Sequence, residues 1–230
     1  MMDPRLEIVQ RFFSGTGPTY DWLVKLHTFG MDIYWKREIL KKIPKAPARI
    51  LDQGCGTGIL TLLIARRFPR CRVVGVELRD EYLTIAKAKA RTQKLTNVKF
   101  ILGRAEDIIL DDEMDCITSS YLAKYADLEV LIRNIKQMLR KDGLLIMHDF
   151  TYPPNRSFAR IWELYLRLLQ TWGVWKYPGW REIYYGLPGL LRATQWVPEL
   201  NGILGREGFS EIQNQSLTLG TSAIVTARKI

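Results

Sequence analysis

Residues 48–80 read ARILDQGCGTGILTLLIARRFPRCRVVGVELRD, and they decide the fold. A short apolar run, RILDQ, meets three closely spaced glycines, Gly54, Gly56 and Gly58, and a helical stretch continues to about Phe68. A second apolar run, CRVVGVEL, follows and ends near a lone acid, Glu77, which stands 19 residues after Gly58. Strand, glycine turn, helix and strand make the opening unit of a parallel α/β sheet. The glycines let the backbone turn sharply and approach a ligand closely, a device shared by dinucleotide and nucleoside sites. The dinucleotide fingerprint GxGxxG would need a third glycine at position 59 or 61, where the chain has Ile59 and Thr61.

The pattern present is DxGxGxG, with Asp52 in the approach to the turn. A carboxylate there repels a pyrophosphate and favours a ligand bearing an ammonium and a sulfonium. S-adenosylmethionine has that charge pattern. Glu77, at the end of the second strand, is placed to accept hydrogen bonds from both ribose hydroxyls, with Leu78 beside it to pack on adenine.

Working outward, strands and helices keep alternating. NVKFILG and MDCITSS read as strands, a helix is expected from about Leu128 to Arg140, and LLIMHDF is the fifth strand. The tail FSEIQNQSLTLGTSAIVTARKI reads as two strands joined by a tight Leu-Gly turn. Ligands in such a sheet bind beyond the carboxyl ends of the strands, which places Gly54, Glu77, Arg104 and Ser119 along one edge. Upstream, residues 5–13 and 19–42 carry helix spacing and are separated by SGTGP, a turn. The organisation expected is a helical cap over 1–47 and a sheet domain over 48–230 with a helical insertion at about 152–196.

Composition bounds the rest. A chain of 230 residues that is 47% apolar can bury one sizeable core. Three cysteines and two histidines, without CxxC spacing, support neither a disulfide framework nor a metal site. The opening MMDPRLEIVQRFF interrupts its apolar positions with charge, and no eighteen apolar residues run together. The expectation is a chain in a reducing, cytoplasmic compartment, soluble or resting on a surface.

The net charge of +10 leaves three readings open: a nucleic acid partner, an acidic membrane face, or a solvated cationic surface. The insertion holds five of the seven tryptophans, and its cations Arg160, Arg167, Lys176, Arg181 and Arg192 outnumber Glu163 and Glu182. Aromatics interleaved with cations suit a lipid headgroup interface, single-stranded nucleic acid, or the roof of a site.

ILDQGCGTGILTLLIARRFP followed by GVEL resembles motif I and the next acidic position of class I S-adenosylmethionine-dependent methyltransferases. A closer resemblance, to the UbiE/MenG ubiquinone and menaquinone C-methyltransferases, rests on four segments. They are YDWLVKLHTFGMDIYWKREIL (20–40), NVKFILGRAED (97–107), MDCITSSYLAKYAD (114–127) and KDGLLIMHDFTYP (141–153). The resemblance implies a Rossmann-like α/β fold, a seven-stranded mostly parallel sheet with an antiparallel last strand. It implies a cofactor site formed by Tyr20, Asp52, Gly54, Gly56, Gly58, Glu77, Leu78, Ala105, Glu106 and Ser119. Two positions depart from the family: Arg104 stands where many relatives have Asp or Asn, and Leu122–Tyr125 replaces Leu-Arg-Asn, so that an arginine's role falls to Lys124.

Methyl transfer needs alignment and exclusion of water, and a base only if the acceptor loses a proton. The candidates are Asp149, His148 and Tyr152 at the end of the fifth strand, and Tyr20 on the amino-terminal segment. Strand alternation points His148 and Asp149 to opposite faces. Asp149 is preferred, because it corresponds to an acid of the family. Tyr20 and Asp21 suit a lid, with Gly15 and Gly17 as its flexible points. The implied activity is C-methylation of a prenylated quinol, with peripheral membrane association through residues 155–196. The alternatives are N-methylation of a phospholipid or another amphipathic molecule, RNA methylation, and a non-catalytic cofactor-binding subunit. Nucleic acid is disfavoured because SSYLAKY after the fourth strand lacks the Asn/Asp-Pro-Pro-aromatic pattern of exocyclic-amine methylation and no Pro-Cys nucleophile is present.

Overall fold

The structure, a computed structural model, describes residues 4–230; Met1 to Asp3 of the expected cap lie outside the described residues. Three helices, α1 (Pro4–Phe13), α2 (Gly17–His27) and α3 (Met31–Lys42), precede the first strand. The alternating part follows as β1 (Arg49–Gln53), α4 (Ile59–Arg67), β2 (Arg72–Glu77), α5 (Asp80–Thr92), β3 (Val98–Leu102), β4 (Met114–Ser120), α6 (Leu128–Met138) and β5 (Leu139–Phe150). Next come α7 (Arg156–Leu168), a π-helical turn (Leu169–Gly173), α8 (Val174–Lys176) and α9 (Arg181–Ala193). Helix α10 (Trp196–Arg206) and the strands β6 (Phe209–Leu217) and β7 (Ser222–Lys229) complete the chain.

The seven strands form one sheet in the order β3-β2-β1-β4-β5-β7-β6. β1 to β5 are parallel, and β7 runs antiparallel to both β5 and β6. The order reverses between β1 and β4, so the strand ends there splay and leave a crevice. Register puts Asp52 beside Gly75 of β2 and Thr118 of β4.

Each face of the sheet is covered by helices whose apolar stripes match their period. On α6 the stripe Leu128, Leu131, Ile132, Ile135 and Met138 is wholly buried, and Asp127 caps the helix by accepting from the Val130 amide (3.2 Å). Burying five such side chains contributes about 1.5–3 kcal/mol each. Helix α10 shares that layer, whereas Trp35, Ile39, Leu60 and Ile64 of α3 and α4 fill the opposite one. A third cluster joins Phe12 and Leu23 of the amino-terminal helices to Trp180, Ile183 and Tyr184 of the insertion.

Three boundaries differ from the sequence reading. The helix expected over 19–42 breaks at Phe29 (φ 51°) and Gly30 (φ 78°), two successive left-handed residues, so α2 and α3 are separate. β5 begins at Leu139, five residues before LLIMHDF, because Asp142 (φ 59°) turns left-handed ahead of Gly143 and shifts the register against β4. Trp196 belongs to the sheet core: it is fully buried and its indole donates to the Phe150 carbonyl (2.8 Å).

Candidate active site

At the crevice Gly54, Gly56 and Gly58 all have positive φ (66°, 57° and 83°), a conformation that disfavours side chains. A Cβ on Gly58 would lie 3.0 Å from that of Ala86, and one on Gly54 would lie 3.3 Å from Leu122. The turn is held by the Cys55 amide, which donates to the Val76 carbonyl (2.8 Å), and by Glu77, whose carboxylate accepts from the amides of Gly56 (2.9 Å) and Arg79 (2.8 Å). Burial raises the Glu77 pKa, and the backbone donors at Arg79 and Gly56 oppose it. Asp52 is buried and accepts from the hydroxyls of Thr61 (2.6 Å) and Thr118 (2.9 Å). Burial, the largest influence, pushes its pKa up to about 6.

A cleft of about 720 Å³ runs from Ala105 and Glu106 past Leu78 and Glu77 to Gly54, Gly56 and Tyr20. A smaller space of about 330 Å³ continues to Asp52, Thr57 and Lys36. Of the residues expected to bind cofactor, eight line this continuous space. The other two do not: Gly58 lies beneath, at the start of α4, and Ser120 rather than Ser119 faces the cleft. The Ser119 hydroxyl is buried with no hydrogen-bond partner among the described residues. Glu106 accepts from the Arg104 guanidinium (3.1 Å) and the Asp127 amide (3.0 Å), so Arg104 is tied to the acid two residues on.

Beside the cleft lies an aromatic chamber of about 870 Å³, roofed by α2, α7 and α9. Phe13, Tyr20, Tyr121 and Tyr125 line both spaces and form the seam between them. Tyr20 stacks on Trp180 (5.9 Å between centroids, 25° between planes) and meets Tyr82 edge-on (5.2 Å). Burial raises the Tyr20 pKa well above the ordinary tyrosine value. The loop before α2 is pinned to α5: the amides of Gly15 (3.1 Å) and Gly17 (2.9 Å) donate to Glu81, and Asp21 pairs with Lys89. In this state the two glycines serve attachment, and the Glu81 carboxylate occupies the space a Cβ on Gly17 would need (2.6 Å).

The four catalytic candidates take different places. Tyr20 lines cleft and chamber. Asp149 is fully buried in an ion pair with Lys124 and accepts from the Phe150 amide (2.7 Å); it is Lys124 that lines the chamber. Burial lowers the Lys124 pKa, and Asp149 opposes the shift. His148 points to the other face, with Nδ1 2.9 Å from the Ser120 hydroxyl and Nε2 2.7 Å from that of Ser222. Its pKa falls well below the usual value through burial first and the charges of Lys36 and Lys124 next. Tyr152 lies outside the chamber in a separate groove, where its hydroxyl donates to Glu163 (2.8 Å).

The sequence reading passed over His27. It lines the chamber with Nε2 3.2 Å from the Tyr184 hydroxyl, and its carbonyl accepts from Tyr165 (2.9 Å). Desolvation lowers its pKa to about 4, so the imidazole is neutral at pH 7. The signal was present: Tyr20, Val24, His27 and Thr28 are spaced on one helical face, and all four line the chamber. Tyr121 and Tyr125 are likewise four apart within SSYLAKY.

Residues 44–172 match the family model described as a methyltransferase domain. Demethylmenaquinone methyltransferase of Thermus thermophilus is 31% identical over 215 residues, covering 92% of this chain and 97% of that protein. Ubiquinone/menaquinone biosynthesis C-methyltransferase UbiE of Geotalea daltonii is 28% identical over 231 residues, covering 97% of each. Among solved structures, a SAM dependent methyltransferase from Aquifex aeolicus superposes with a TM-score of 0.62 over the whole of both chains at 14% identity, a likeness of fold.

Proposed function

The chain belongs to the class I S-adenosylmethionine-dependent methyltransferases of the UbiE type, and on that premise we propose that it methylates a ring carbon of a prenylated quinol. The observation that carries this reading is the aromatic chamber joined to the cofactor cleft at Phe13, Tyr20, Tyr121 and Tyr125. Such a chamber, lined mainly by aromatic and aliphatic side chains, suits a large apolar ring. The names of the relatives, demethylmenaquinone methyltransferase and UbiE, support the same acceptor. A phospholipid amine fits less well, since Lys124 lines the chamber and no carboxylate does among the described residues.

The cleft fits the cofactor. Three left-handed glycines leave the backbone bare, and the two buried acids would supply acceptors for a ribose and an ammonium. Glu77 and Leu78 would hold the nucleoside, Ala105 and Glu106 the adenine end, and Asp52 with Gly54 and Gly56 the amino acid end. When bound, the cofactor supplies an electrophilic methyl on a positively charged sulfur.

The chain's residues would do the rest. Tyr20 and the other three seam residues exclude water and bring the ring against the methyl in line. Lys124, fixed by Asp149, draws an acceptor oxygen toward its ammonium and favours the more electron-rich ring. Neutral His27 and the Tyr184 hydroxyl, both lining the chamber, would take a hydrogen bond from an acceptor hydroxyl. As the ring carbon gains the methyl it loses its proton, and the net proton leaves to solvent. Because a prenylated quinol partitions into a bilayer, the chain would work at the inner membrane face, with the 155–196 region as the contact.

Transfer of labelled methyl from S-adenosylmethionine to a demethylquinol, read as a ring-methylated product by mass spectrometry, tests the reading. Label found in phospholipid instead, with none in the quinol, overturns it.

A further inference from the structure

The outer face of the chamber's roof is as apolar as its lining. Along α7, the π-helical turn and α8, Ile161, Leu164, Leu168, Trp172 and Trp175 recur at steps of three and four residues and stand exposed, Trp175 at 78%. The opposite side of the same rod, with Trp162, Tyr165, Leu166 and Leu169, lines the chamber. Helix α2 and the turn after it repeat the arrangement: Tyr20, Val24 and His27 face inward, while Trp22, Leu26 and Phe29 are exposed. The segments that carry the two stripes are in contact. The ring of Phe29 lies 5.2 Å from that of Tyr165, and the ring of Trp22 lies 5.6 Å from that of Tyr177.

Phe29 makes the pattern pointed. It is a non-glycine residue at φ 51° and 77% exposed, so the chain accepts an unfavourable backbone conformation and holds a large apolar ring in water. A contiguous apolar face of this kind marks an interaction site.

Charge identifies the partner. Lys25, Arg160, Arg167, Lys176 and Arg181 are exposed around the stripes. The acids nearby are already engaged, Glu163 by Arg192 and Glu182 by Arg11. Indoles and aliphatic side chains ringed by cations complement the boundary between acyl chains and anionic headgroups. Among the described residues no helix is long and apolar enough to cross a membrane, so this contact is interfacial.

We propose that the outer faces of α2 and α7–α8 together dock on an anionic lipid leaflet, with Phe29, Trp172 and Trp175 inserted and the chamber mouth held against the acyl region. This extends the reading of a lipophilic acceptor, but its test does not depend on methyl transfer. The probe is co-sedimentation with phosphatidylglycerol/phosphatidylcholine vesicles at low salt, beside pure phosphatidylcholine vesicles.

The parent chain is expected to pellet with the anionic vesicles, and F29G/W175A to lower the partition coefficient about tenfold or more. R167Q/K176Q should lower it about fivefold per charge on anionic vesicles only, with the effect lost in high salt. None of these residues lines the chamber, so turnover of a short-chain, water-soluble quinol should be unchanged in every variant. Loss of that turnover in the parent would count against the quinol reading and leave docking intact. A parent that stays in solution with anionic vesicles overturns the docking proposal. So does a stable dimer by light scattering that F29G/W175A dissociates, since the face would then meet a second copy.

Discussion

Replacing Asp149 with asparagine keeps the shape of the side chain and removes its charge, which isolates what the carboxylate does. Neither partner of the Lys124–Asp149 pair reaches water: the side chains are 2% and 0% exposed. Without the carboxylate, the Lys124 ammonium keeps the Tyr121 carbonyl at 3.3 Å and the faces of Tyr125, Tyr121 and Phe150 at 4.5, 5.4 and 5.5 Å. Breaking a buried ion pair from one side costs about 3–5 kcal/mol. The aromatic faces return part of that, so about 3 kcal/mol is expected, or a fall in Tm of about 6–12 °C for a chain of this size.

The sign of the pH dependence follows from Lys124. Burial lowers its folded pKa, and without Asp149 no charge opposes the shift, so the unfolded chain binds the extra proton. Stability then rises with pH, and the deficit narrows as the pH climbs toward the ordinary lysine pKa of about 10.4. Urea unfolding followed by tryptophan fluorescence reads the change as a lower midpoint at unchanged slope. The double variant K124M/D149L removes both charges and should return to within about 1 kcal/mol of the parent. A single variant within about 1 kcal/mol of the parent, or a double variant as unstable as the single, would refute the reasoning.

Two further outcomes are expected. With its pKa at about 6, Asp52 should make uptake of S-adenosylmethionine weaken about tenfold per pH unit below that value, and D52N should flatten the slope; calorimetry showing parallel slopes in both proteins would dissociate Asp52 from the ligand. In α9 a Cβ on Gly186 would lie 2.3 Å from the Phe12 ring, whereas one on Gly189 meets nothing within 4 Å. G186A should therefore cost about 1–3 kcal/mol and expose the cap to protease, and G189A should stabilise by about 0.5–1 kcal/mol, both read from urea midpoints and digestion rates.

The β1–α4–β2 unit was legible because its determinants are local. Gly54, Gly56, Gly58 and Glu77 lie within 24 consecutive residues, and each does its work through a nearby backbone group. The break after α2 was not legible, because only Gly30 announces it and Phe29 shares the left-handed turn without any compositional sign. Alternation placed His148 and Asp149 on opposite faces, as the structure has them, but their surroundings come from Ser222 and Lys124, 74 and 25 residues away. Ser119 shows how sharp the limit is. In a strand of period two, a shift of one residue moves a side chain to the other face, and Ser120 is the one in the cleft. Trp196 resembles the other tryptophans of its segment in composition, and only the packing of α10 on the sheet separates it from them.

The third hydrophobic cluster has a consequence for biosynthesis. Phe12 and Leu23 leave the ribosome before the insertion side chains that cover them, Trp180, Ile183 and Tyr184, which are encoded some 160 residues later. At about 5–20 residues per second the first helices wait on the order of ten to thirty seconds with their apolar faces uncovered. They are made well before the side chains that cover them and settle only after those side chains arrive. A nascent chain stalled before residue 180 would hold a nearly finished parallel sheet beside α1 and α2 still open to chaperones.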